Sequence, residues 1–218
     1  IEVTRALIGN QTVQFAVDND AQTLTLTPRR PLRAGRHTIR INYNGRIFDD
    51  AYGLFRVAYD QDGQTRRALA TQFQVGDARR FSPMWDQPNM RSVFSIAVTA
   101  PSDLMAIGNM PVQSATRLAN GLTRTRFEDT PSMASYLLFL GVGDFERVTA
   151  DVDGVELGVV VRRGQTARAV CTAGRHRVAA LFRELFRHRI SAAEARHGRR
   201  ARRRRFCGDG ELGRHPLF

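Results

Sequence analysis

Apolar and polar residues alternate through residues 13–17 and through Thr23–Thr27, the period of strands with one buried face. Residues 37–43, HTIRINY, repeat the alternation. Residues 92–99, SVFSIAVT, and 135–142, SYLLFLGV, are rich in side chains that suit a pleated sheet. Asn44-Gly45, Asp62-Gly63, Asn120-Gly121 and Asp153-Gly154 are turn-forming dipeptides between such runs. Strands at this spacing predict an all-β domain over residues 1–165, an antiparallel sandwich or saddle. After about Gly164 the pattern changes. Val178, Leu181, Phe182, Leu185 and Phe186 fall on one helical face, and residues 197–205 read HGRRARRRR. Residues 166–218 therefore read as a short helical or disordered basic tail.

Residues 71–94, TQFQVGDARRFSPMWDQPNMRSVF, break the alternation. They are too irregular for an amphipathic helix and too polar for a buried strand. A segment of this kind is usually a functional loop held by a rigid scaffold.

Charge separates the tail from the body. All 33 basic residues are Arg, which fits a GC-rich coding sequence of bacterial type. Residues 170–218 carry 13 Arg against four acids, whereas residues 1–169 carry 20 Arg against 17 acids. Both cysteines, Cys171 and Cys207, lie in the tail without CxxC spacing, so the body has no disulfide framework and the pair carries no metal signal. No apolar run reaches the roughly 18–20 residues of a membrane helix. The reading is a soluble protein. Its compartment stays open, because Ile1 opens directly into strand-like sequence without an initiator Met and a signal peptide could precede it.

The five histidines, His37, His176, His188, His197 and His215, include no pair with HExxH spacing. No catalytic residue and no metal ligand is assigned in this chain. Asp77, Arg79, Arg80 and Asp86 read as Arg–carboxylate braces of the loop, not as catalysts, since nothing nucleophilic stands near them. Trp85 and Pro83 are expected to pack that loop against the sheet. Asn109 reads as a turn residue beside Gly108. Leu137, Leu138, Phe139 and Leu140 are expected in the core.

Three ordered blocks resemble the aminopeptidase N family of zinc metallopeptidases. They are TQFQVGDARRFSPMWDQP from Thr71, AIGNMP from Ala106 and TPSMASYLLFLGVGDFE from Thr130. The family's corresponding patterns are TQFE…DARR…P..DEP, the same AIGNMP, and TP.MSTYL.AF.VGDFE. The likeness covers about residues 50–165. It implies a large curved N-terminal β domain whose first strands are missing here, leaving an unpaired and aggregation-prone sheet edge. It also implies hydrolysis of N-terminal residues from peptides by zinc held on HExxH and a downstream Glu. Those ligands, and the GAMEN Glu that anchors the substrate amine, are absent from this chain. It is expected to bind no zinc and to be inactive alone, the zinc catalytic domain lying outside it. The resemblance makes Gln72 and Gln74 substrate-binding residues. Gln72 lines the pocket for the first side chain. Gln74 stands where the family has a Glu that holds the α-amine, so it offers an amide without charge. Without the resemblance, the two glutamines would read as strand residues facing solvent.

The tail admits a reading in another frame. Back-translated with suitable synonymous codons and read from the second base of each codon, residues 181–201 can give YFGNYFGTAYPLPKLDMVAV followed by P. Residues 208–218 can give GMENWGAILF. The first resembles the segment that follows the family's β domain, and the second its GAMEN motif. Residues 166–218 are thus expected to be the frameshifted start of the catalytic domain, with the switch near 166–180 and no evolved basic function. No nucleic-acid partner is then expected. The alternative is a non-enzymatic β-sandwich binding module whose Arg-rich tail grips nucleic acid or another anion, with salt-dependent binding that requires residues 197–205.

Overall fold

The computed structural model describes residues 1–152, 155–164 and 204–208. The first strands are β1 (Glu2–Ile8), β2 (Gln11–Thr12), β3 (Gln14–Asp18), β4 (Thr23–Thr27), β5 (Ile39–Asn44), β6 (Gly53–Gln61) and β7 (Gln64–Gln72). A single helical turn, α1 (Ala78–Phe81), follows. Then come β8 (Ala97–Pro101), β9 (Met105–Gly108), β10 (Val112–Arg117), β11 (Leu122–Phe127), a 3-10 turn at Ser135–Leu137, β12 (Leu140–Gly143), β13 (Phe145–Val152), β14 (Val155–Arg162) and β15 (Arg204–Gly208). The expectation of an all-β domain is met. Residues 165–203 and 209–218, and with them the apolar helical face drawn from Val178 to Phe186, lie outside the described residues. β15 runs parallel to β14 inside the expected tail, where the sequence predicts helix or disorder.

The chain divides into two compact units. The first comprises Ile1–Ile96, Ile107–Met110 and Phe127–Gly141. Its strands β1 to β7 follow the orders β2-β1-β5, β3-β4 and β6-β7. The alternation predicted for Thr23–Thr27 is present: Leu24 and Leu26 are half-buried between exposed threonines. Asp62 (φ +50°) and Gly63 (φ +73°) make the two-residue turn between β6 and β7. Left-handed backbone at both positions matches the twist of the paired strands, which is why Asp-Gly suits it. The second unit holds β8, β10 and β11 in the order β10-β11-β8, and the β13-β14-β15 sheet.

Two predicted strands differ. Residues 92–96 are extended but form no ladder. Ile96 O accepts from Phe127 N, Phe94 O accepts from Thr130 N, and Ser92 exchanges both backbone bonds with Met133. Each step takes two residues on one side and three on the other, so no regular register can hold. The Thr130 hydroxyl meets the otherwise unmatched Phe94 amide at 2.9 Å. Residues 135–137 form the 3-10 turn instead of a strand, with Ser135 Oγ committed to Asp86. Asn44-Gly45 ends β5 without making a hairpin turn, and Asp153-Gly154 lies outside the described residues.

The first unit's core sits beneath the loop after β7. Phe73, Ala78 and Leu138 are buried, with Phe81, Met84, Phe94, Ile96, Met133 and Tyr136 packed against them. The Phe73 and Phe81 rings lie 5.3 Å apart at 37°. Burying a phenylalanine stabilises by about 2–3 kcal/mol, so Phe73 fixes where the chain leaves the sheet.

Candidate functional site

The β6–β7 register sets the position of Gln72. It stands opposite Gly53 at the end of the ladder, with Thr71 opposite Leu54. Gly53 is left-handed (φ +60°), and a Cβ there would meet Arg80 Cβ at 3.1 Å and Phe48 Cε2 at 3.3 Å. The backbone at this corner therefore requires glycine. Gln72 is half-buried, Phe73 is 1% exposed and Gln74 is exposed. The Gln74–Val75 peptide is cis. Asp77 N donates to Phe73 O at 3.1 Å, closing the loop that carries Gln74.

Beyond that loop, α1 is braced from both sides. Asp77 occupies the N-cap position but makes no cap bond. Its carboxylate instead accepts from Arg80 Nε at 2.6 Å. The Asp86 side chain is 3% exposed and accepts from the Arg79 amide and Nε, each at 3.1 Å, and from Ser135 Oγ at 2.5 Å. Arg79 also donates to Asp86 O at 3.0 Å and to Gln22 Oε1 at 2.8 Å. A buried carboxylate with this many donors is satisfied, and it ties three segments together. The bracing expected of Asp77, Arg79, Arg80 and Asp86 is what the geometry contains.

Trp85 departs from expectation. It is 68% exposed and does not pack the loop against the sheet. Met84, its neighbour, takes the place in the core. Leu137 is likewise exposed and Phe139 half-buried, whereas Leu138 and Leu140 are buried as expected. Asn109 does more than turn the chain. Its amide donates to Leu137 O at 2.8 Å and accepts from Phe139 N at 2.7 Å. Thr71, Ser135 and Gln22 are further members of this polar framework that sequence reasoning missed. Lone hydroxyls and amides carry no spacing signal.

Positive charge lies beside the loop. The Arg46 and Arg80 guanidinium carbons stand 5.3 Å and 5.9 Å from the Phe48 ring centre. The hydrogen bond from Arg56 holds the Asp49 carboxyl below its usual range, helped by the charges of Arg56, Arg46 and Arg67. Among the described residues no three of His, Cys, Asp and Glu lie together. The described histidine, His37, has Nε2 at 2.8 Å from Arg33 O. These residues therefore do not fit a zinc site. No helix among the described residues is long and apolar enough to cross a membrane.

Residues 2–137 match the Peptidase M1 N-terminal domain. The chain belongs to the aminopeptidase N family of M1 peptidases. It is 38% identical over 148 residues to aminopeptidase N of Acetobacter pasteurianus, covering 67% of this chain and 42% of that protein. It is 35% identical over 139 residues to aminopeptidase M1-A of Oryza sativa subsp. japonica, covering 63% of this chain and 16% of the relative. Against aminopeptidase Ey of Gallus gallus the identity is 33% over 147 residues, 66% of this chain and 15% of the relative. The M1 chain thus spans less than half the length of these relatives. Its M1 domain match includes both glutamines and the brace around them.

Proposed function

We propose that this chain supplies one wall of the site where a zinc-dependent aminopeptidase recognises the free amino end of a peptide, and that it hydrolyses nothing alone. The placement of Gln72 and Gln74 carries this reading. They flank the buried Phe73 at a strand end, so two amides stand at a rigid corner, one half-buried and one exposed. An amide oxygen accepts a hydrogen bond from an ammonium group, and the amide adds no charge of its own. The names of the relatives, all aminopeptidases, support the substrate class.

Zinc belongs, in this reading, to the remainder of the longer protein, since the described residues do not fit it. Residues 166–218 are read as the start of that remainder in a shifted frame, so their Arg-rich run is not a nucleic-acid site. The M1 domain match ends at residue 137, so residues 166–218 lie outside it, which is compatible with this reading.

The test assays two preparations with zinc for chromogen release from aminoacyl p-nitroanilides. One is the 218-residue chain. The other is the longer product of the gene read through the shifted frame. The proposal expects activity in the longer product alone. Activity in the shorter chain, or its absence from the longer product, overturns it.

A further inference from the structure

Three segments distant in sequence each direct a polar side chain at the same stretch, residues 135–140. Asp86 Oδ1 accepts from Ser135 Oγ at 2.5 Å. Asn109 bonds Leu137 O at 2.8 Å and Phe139 N at 2.7 Å. Thr71 Oγ1 accepts from Leu140 N at 2.8 Å and donates to Leu140 O at 3.3 Å. The resulting order along the stretch is Asp86, Asn109, Thr71.

We propose that residues 135–140 form a strap that positions Gln72 and Gln74, with Asn109 as the positioning residue that sets it. The link to substrate recognition rests on the proposed function of the two glutamines. A carboxamide carries one donor group and one acceptor, as a peptide unit does, so Asn109 stands in for a neighbouring strand. Its hold on Leu137 and Phe139 fixes the residue just before Leu140. Leu140 is bonded to Thr71, and Thr71 is covalently followed by Gln72. At the other end, Ser135 shares Asp86 with Arg79 of α1, the turn that closes the Gln74 loop. Both glutamines are therefore reached from the strap without either touching Asn109. A purely structural role for exposed Asn109 would instead change stability everywhere alike.

The experiment uses the whole 218-residue chain, without substrate, and reads amide hydrogen exchange and the Gln72 and Gln74 side-chain NMR signals. Asn109→Ala loses both bonds, and loss of the acceptor for the Phe139 amide should speed its exchange about fivefold. Both glutamine signals should move, while β1 and β5 exchange as in the parent. Asn109→Asp keeps the acceptor for Phe139 N and loses the donor to Leu137 O. It should retain Phe139 protection and shift the glutamine signals less. If Asn109→Ala does not fold, Asn109→Asp carries the comparison against the parent. Unmoved glutamine signals in the folded variant, or equal acceleration throughout β1 and β5, would overturn the strap. Because no substrate is present, this outcome is separate from that of the chromogen assay.

Discussion

Thr71 and Leu140 are 69 positions apart, and one hydroxyl joins them twice. It accepts the Leu140 amide at 2.8 Å and donates to the Leu140 carbonyl at 3.3 Å, both in the interior. A side chain thus satisfies two backbone groups where β7 ends and β12 begins. The strand carrying Gln72 is held at its tip by a bond that does not depend on continuing the ladder.

Replacing Thr71 by Val keeps the shape and removes both bonds. Two buried backbone groups lose their partner, at about 1–3 kcal/mol each before relaxation. Thr71→Val should lower the urea midpoint by an amount equivalent to about 2 kcal/mol, and Thr71→Ser by much less. Equal midpoints for Val and the parent would show that the hydroxyl contributes nothing.

Asp86 makes a second prediction. Asp86→Ala removes a carboxylate that is 3% exposed and leaves Ser135 Oγ and the Arg79 amide without their acceptor. Arg79 is 37% exposed and keeps Gln22, so water and that amide offset part of the loss. The expected cost is about 2–3 kcal/mol in chemical denaturation, whereas Ser135→Ala should cost about 1 kcal/mol. A smaller effect for Asp86→Ala than for Ser135→Ala would refute its place as the shared acceptor.

Much of this fold is legible in the sequence. Leu24 and Leu26 announce β4 by alternation, and Asp62-Gly63 announces its hairpin because few other residues accept left-handed backbone twice. The Arg and Asp residues of the loop announce their pairs by charge. Trp85 misleads, since its size suggests burial while the chain turns Met84 inward instead. Asn109 is illegible for another reason: an asparagine in a turn and one imitating a strand have the same local sequence. The proposal of Gln72 and Gln74 as substrate residues starts from the family resemblance alone. An amide at a strand end is otherwise an ordinary surface residue.

Gly53 gives a third prediction. Any side chain at φ +60° is strained, and a Cβ would also press on Arg80 Cβ and the Phe48 ring. Gly53→Ala should destabilise by about 1–2 kcal/mol. It should also perturb the Gln72 amide signal, because the two residues are register partners. A melting temperature equal to the parent's would show that the corner relaxes freely.

Asp49 and Arg56 set a pH dependence. Arg56 depresses the Asp49 pKa in the folded chain. The associated stability is present above the unfolded value of about 3.9 and is lost as pH falls through the lower folded value. Both side chains are half or more exposed, so the effect is small and screened by salt. Denaturation midpoints of the parent and Arg56→Leu should differ above about pH 5 and converge as the pH falls through the lowered Asp49 value. A difference that persists in acid would assign the effect to packing of the arginine stem.

The last prediction concerns the exposed amide at Gln74. If it faces the substrate ammonium, a carboxylate there converts a neutral acceptor into a charge-assisted one, worth about 1 kcal/mol more. In the longer, shifted-frame product, Gln74→Glu should lower KM for aminoacyl p-nitroanilides about fivefold. kcat should hold if the bond is equally strong in ground and transition states. The gain requires a protonated amine, so it should fade above about pH 8 as that group loses its proton. Gln72→Glu should not reproduce this pattern if, as the resemblance implies, Gln72 faces the first side chain and not the amine. A pH-independent change in KM, or the same response from both glutamines, would place the amine elsewhere.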